Sequence, residues 1–203
     1  MALLARKSTG VIWDSVTDQT PEDLDFPADV LADLLEGGNE ISVWEVADRD
    51  GPEMDRVAAA LHSPNAQNLS EMTFRFISEW RLNNLGLEKN KEVGTTVDTV
   101  LNKAGKHWVI KITKIGDAIK LAKALKDPNQ PVRFYSREQV MRCFAESLEA
   151  KRIGTEKITT GLWQKLLNEG HLQVVAAPPI VTPSGDRAES SPAPPTESAE
   201  NKP

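Results

Sequence analysis

The chain has 203 residues, 39% of them hydrophobic and 27% charged, with a net charge of −6. Those totals fit one domain of ordinary size plus a tail, with a core large enough to stand without disulfides or metals. The single cysteine, Cys143, excludes an internal disulfide, and no Cys/His pattern has zinc spacing.

No run approaches the ~18 apolar residues of a membrane span. The opening MALLARKSTG turns charged too early for a signal peptide. A reducing, cytoplasmic setting without membrane contact is therefore the expectation.

Taken in order, Val11–Val16 reads as a short strand, and Thr17–Asp25 is an acidic connection. Pro27 then suits the first turn of a helix whose stripe is Val30, Leu31, Leu34 and Leu35, stopped by Gly37-Gly38. Ile41–Val46 reads as a strand in which Ile41 and Val43 alternate while Trp44 and Val46 fall out of step. Pro52 opens a helix with Met54, Val57, Ala58 and Leu61 on one face. Met72, Phe74 and Phe76 recur with period two, as a strand with one strongly buried face requires. Ser78–Gly94 is polar and reads as a loop or a loose helix. A short helix follows through Val97, Val100 and Leu101.

The organising stretch is Lys106–Leu125. It holds the clearest buried strand, His107–Ile112, and the clearest amphipathic helix, Gly116–Leu125, with Ile115, Ile119, Ala122 and Leu125 as its apolar face. Val132–Tyr135 is a further short strand. Ser136 and Gln139 have capping-box spacing ahead of a helix that buries Val140, Met141, Phe144 and Leu148. Thr155 is expected to cap a last helix carrying Ile158, Leu162, Trp163 and Leu166, closed by Gly170.

Seven of the thirteen prolines lie at Pro178 or later. Such a segment has too little apolar surface to offset the entropy of ordering it. The expected organisation is one domain over 1–175 and a disordered Pro/Ser/Ala/Glu-rich tail over 176–203. Alternating strands and helices predict an α/β three-layer domain with a mostly parallel sheet of about five strands; α+β with antiparallel pairing is the alternative.

Familiar chemistry is mostly excluded. There is no GxGxxG after a strand, no GxxxxGK[ST] and no GxSxG. DRDGPE at 48–53 resembles a calcium loop, but alignment on Gly51 puts Val46 and Val57 at its two ends, where carboxylates belong. Ile112-Thr113-Lys114 lacks the acid of a strand-borne nuclease motif. Asp48, Asp50 and Glu79 at strand ends could together hold Mg²⁺, which makes a Mg²⁺-dependent enzyme a further alternative, although an acidic turn explains the aspartates as well. His62, His107 and His171 read as interfacial polar residues, and Cys143 as a small buried hydrophobe. Neither catalytic residues nor a cofactor is expected.

The charge division is the strongest functional signal. Residues 1–79 carry a net −11 and residues 80–165 a net +8. Lys114, Lys120, Lys123 and Lys126 belong to the most basic stretch, with Lys120 and Lys123 opposite the apolar face of their helix. Arg137 and Arg142 extend the positive region. Trp80 beside Arg81 is the aromatic most suspected of exposure, suited to stacking or to anchoring an interface. These eight residues are the expected contact set of a non-enzymatic binding protein that meets an acidic protein partner. Nucleic acid is the alternative, with residues 137–169 forming a helix–turn–helix outline. Contact between opposite charges of two copies would give self-association.

Overall fold

A computed structural model describes residues 2–8, 13, 27–35, 38–62, 66–127 and 129–173. The strands are β1 (Leu3–Ser8), β2 (Glu40–Val46), β3 (Met72–Ser78), β4 (Lys89–Lys91), β5 (His107–Lys111) and β6 (Val132–Tyr135). The helices are α1 (Ala28–Leu34), α2 (Pro52–Ala60), α3 (Glu79–Asn84), α4 (Thr99–Lys103), α5 (Ile115–Lys126), α6 (Arg137–Glu149) and α7 (Thr160–Asn168), with a 3₁₀ turn at Thr155–Lys157.

The six strands form one sheet in the order β4-β5-β2-β1-β3-β6. Every neighbouring pair is antiparallel, so the mostly parallel α/β sheet of about five strands is overturned, and the architecture is α+β. The cause is topological. β2 and β3 run the same way and α2 links them, as a crossover should, but β1 lies between them. β5 and β6 are likewise linked by α5, with β2, β1 and β3 interposed. The alternation of strand and helix thus reported real crossovers. It could not report that they skip strands, since parallel direction does not require adjacency.

The decisive element is β1. Its first residues, Leu3, Leu4 and Ala5, are apolar in succession before Arg6, and do not alternate. Both faces of this strand are covered: Ala5 lies in the core under α2 and α6, and Leu4 in the core under α1 and α5. Arg6 is accommodated because its guanidinium donates to the carbonyl of Asp33 at 3.0 Å. Two-sided cover also explains β2, where Ile41 and Val43 face one layer while Trp44 and Val46 face the other. The strand read at Val11–Val16 lies outside the described residues except for Trp13, which is fully buried and donates to Asp33.

α2, α4, α6 and α7 cover one face of the sheet, where Phe74, Phe76, Tyr135 and Phe144 pack. α1 and α5 cover the other, with Ile77, Ile110 and Leu121, and α3 adds Leu82 there. Ser136 and Gln139 make the reciprocal bonds of a capping box. Ser78 caps α3 through the Arg81 amide, so the unread stretch 78–94 resolves into α3 and β4. The last helix is capped by Thr159 and not by Thr155, which opens the 3₁₀ turn instead. No helix among the described residues is long and apolar enough to cross a membrane.

Candidate functional site

The sheet separates the expected contact residues. Lys114, Lys120, Lys123 and Lys126 belong to α5 or its N-terminal flank on one face, whereas Arg137 and Arg142 belong to α6 on the other. The two groups of basic residues thus lie on helices at opposite faces of the sheet. Residues 150–159 between α6 and α7 include the 3₁₀ turn and the Asp98–Ile153 bridge, so the tight turn of a helix–turn–helix is missing.

Much of the charge division is compensated inside the fold. Arg133 donates to Asp55 at 2.7 Å and to Asp50 at 3.1 Å. Lys106 pairs with Glu53. Lys89 lies 3.2 Å from Glu79 and 3.4 Å from Glu45, over the ring of Trp108. Each of these pairs joins the basic part of the sequence to the acidic part. Arg137 meets Glu169 at 2.8 Å, and Arg81 meets Asp127 at 2.5 Å. The carboxyl of Asp127 is held below its usual range, chiefly by the backbone amide of Asn129 and then by Arg81.

The same pairs bear on the Mg²⁺ set. Arg49 and Arg133 hold Asp50, with the Arg49 hydrogen bond lowering its pKa most. Glu79 belongs to Lys89, and Asp48 accepts the Asp50 amide in an acidic turn. Among the described residues no group of three or more His, Cys, Asp or Glu side chains is placed to hold a metal ion. The Cys143 thiol is buried and pushed up to about 11 by desolvation, which leaves it a poor nucleophile at neutral pH.

Lys114 and Lys123 make no ion pair among the described residues, and Lys120 reaches only Asp117 at 3.9 Å. Lys120 and Lys123 lie on the outer side because Ala118, Leu121, Ala122 and Leu125 bury the inner one. Ile115 does not join that inner face; it stands 60% exposed in the first turn. At the far end, Asp127 is the C-cap of α5 and its pair with Arg81 brings α3 alongside. The residue before Arg81 in α3, Trp80, is 65% exposed. The lysine row thus runs ~18 Å along α5, with Ile115 exposed at its first turn.

No family model, no curated protein and no solved structure matches the chain. The functional reading therefore rests on geometry.

A concavity in the structure was not legible in the sequence. A cavity of about 360 Å³ is lined by Ser42, Trp44, His62, Thr95, Thr96 and His107, among others. Register creates it, because β2 and β5 place Trp44 opposite His107, their rings 4.7 Å apart. Ser42 Oγ lies 3.0 Å from His107 Nε2. Among the described residues His107 Nδ1 is buried with no hydrogen-bond partner, so none of their carboxylates orients the ring as in a nucleophile–base–acid set. Burial lowers the pKa of both histidines, that of His62 to about 4 with help from the charge of Lys7. Neutral imidazoles against a tryptophan wall make this a polar-lined hollow without a complete catalytic arrangement.

Proposed function

We propose that the protein is a non-enzymatic binding protein that docks an acidic segment of a partner protein along the outer ridge of α5. The observation that supports this reading is the row of Lys114, Lys120 and Lys123 on and beside α5, with Ile115 exposed in the first turn of that helix and Trp80 exposed on α3. Exposed charges steer and select a partner but contribute little affinity each. Large exposed apolar groups supply the anchoring that lysines alone lack, and tryptophan is prominent among such anchors. Lys126 continues the row into the last turn of α5. Arg81 serves to position α3 through Asp127, and Arg137 and Arg142 fall outside the surface.

Fluorescence anisotropy tests the reading. A labelled acidic peptide containing two apolar residues is titrated against the wild type and against the Lys120→Glu/Lys123→Glu double variant at ~50 mM salt, where surface electrostatics are least screened. Reversing two rim charges costs about 2 kcal/mol, so affinity should fall roughly 30-fold. Trp80→Ala should weaken the complex as well. Equal affinity for wild type and double variant would remove the proposal. Single-stranded DNA in a parallel titration separates the alternative: tight binding lost by ~10³-fold between ~50 and ~200 mM salt is the mark of several phosphate contacts.

A further inference from the structure

The outward sides of α5 and α6 carry opposite charge patterns. Along α5 and its N-cap the order is Lys114, Asp117, Lys120 and Lys123, in steps of three. Along α6 it is Glu138, Arg142, Glu146 and Glu149, in steps of four, four and three, and all four are exposed. Read from the N-terminus, a plus-minus-plus-plus row stands against a minus-plus-minus-minus row, so every charge has its opposite. Reversing one helix would set Lys120 against Arg142 and Asp117 against Glu146. The match therefore holds in the parallel setting and fails in the antiparallel one.

Within one molecule the two rows cannot meet. α5 lies over the face of the sheet with Ile110 and Leu121, and α6 over the face with Phe74 and Phe144. Glu138, Arg142, Glu146 and Glu149 make no ion pair among the described residues, and the ion pair of Asp117 is the 3.9 Å approach of Lys120. The geometry admits a second helix. The α5 row spans roughly 14 Å and the α6 row roughly 17 Å, a difference within the reach of lysine side chains. A row of step three on one helix packs with a row of step four on another when the axes cross at about 20°. Gly116, on the outer side of the first turn of α5, has open space where a side chain would stand.

We propose that the acidic partner of α5 is α6 of a second copy of this chain, docked parallel to it so that Lys120 and Lys123 face Glu146 and Glu149. The inference rests on the reading of α5 as a docking surface and names its occupant. Each copy presents the basic row on one face and the acidic row on the other, so the contact is heterologous and repeats into a ring or an open filament. Pairs of exposed charges contribute little each and are screened by salt. The assembly is accordingly weak, and it forms at high protein concentration and low ionic strength.

Sedimentation velocity of the full chain at ~50 and ~500 mM salt provides the test. The wild type should gain mass with concentration at the lower salt and sediment as a monomer at the higher. Lys120→Glu/Lys123→Glu and Glu146→Lys/Glu149→Lys should each, alone, weaken self-association roughly 30-fold. An equal mixture of the two should recover it, because unaltered α5 then meets unaltered α6 and reversed α5 meets reversed α6. Both variants keep a net negative charge, so bulk attraction does not draw them together. A wild type that stays monomeric at ~1 mM overturns the proposal. So do variants that associate as the wild type does, or a mixture without recovery. A monomeric wild type that still binds the acidic peptide through Lys120 and Lys123 overturns this inference and leaves α5 as the docking surface for another protein; failure to bind the peptide as well removes both.

Discussion

Arg133 offers the sharpest test of whether the opposed charges of the two sequence halves are joined within one fold. Its guanidinium bonds Asp55 at 2.7 Å, and Asp55 also accepts from the Tyr135 hydroxyl at 2.7 Å. The side chains of Arg133 and Asp55 are 19% and 36% exposed. Fully exposed pairs contribute about 0.2–1 kcal/mol, and breaking a buried pair costs about 3–5 kcal/mol. A half-covered pair with direct charge-assisted bonds belongs between those limits, at about 1.5 kcal/mol. The clean measurement is a double-mutant cycle with Arg133→Met, which keeps the aliphatic stem over the Tyr135 ring, and Asp55→Asn, which keeps the shape. Urea unfolding of the four proteins should give a coupling of about 1.5 kcal/mol, and the single variants should melt roughly 3–6 °C below wild type. Single effects that add to within ~0.3 kcal/mol refute the reasoning. The pair would then be a geometric coincidence, and the charge division would be free to act outward.

Two further expectations concern the hollow between β2, β5 and α2. With its pKa pushed down to about 4, folded His62 refuses a proton that the unfolded chain accepts below ~6.5, so stability falls as pH drops through that window, by about 2 kcal/mol between pH 7.5 and pH 5. Urea titrations at the two pH values should show the loss in the wild type and a much smaller one in His62→Gln; equal losses would exclude His62 as the source. A Cβ on Gly94 would lie 2.5 Å from Trp44 Cη2 and 2.9 Å from Asn102 Oδ1. Neither neighbour can yield, because Trp44 is buried against His107 and Asn102 holds the Thr96 amide. Gly94→Ala should therefore cost about 1–3 kcal/mol, and an unchanged urea midpoint would contradict the packing.

Most elements were legible because their signals are local. The Ser136–Gln139 capping box, the period-two run Met72–Phe76 and the lysine face of α5 each declare themselves within a few residues. Strand order is not local, and it failed at β1. Leu3–Ser8 offers no alternation, because one of its faces buries Leu4 beside the chemically awkward Arg6, whose carbonyl partners come from Asp33 and Leu34. Without β1 between them, β2 and β3 look like adjacent parallel strands. Thr155 and Thr159 offer the same hydroxyl, so local sequence does not choose between them as the cap of α7; in the fold Thr159 caps the helix and also donates to the Ala66 carbonyl. For the candidate site, charge counting found the α5 lysines. It could not foresee the pairs that retire Lys89, Lys106 and Arg133, nor that the sheet would divide α5 from α6.

The central place of β1 also governs the order of events during synthesis. Its partners are Trp44–Val46 on one side and Thr73–Ser78 on the other. At about 5–20 residues per second, the ribosome completes β3 roughly 4–14 s after β1. Through that interval Leu4 has no Ile77 beside it, and Ala5 has no Phe76. Pairings so distant in sequence are slow to close even in the finished chain. The strand that binds the sheet together is thus the one that waits longest in the open, and it is where a nascent-chain chaperone would find its substrate.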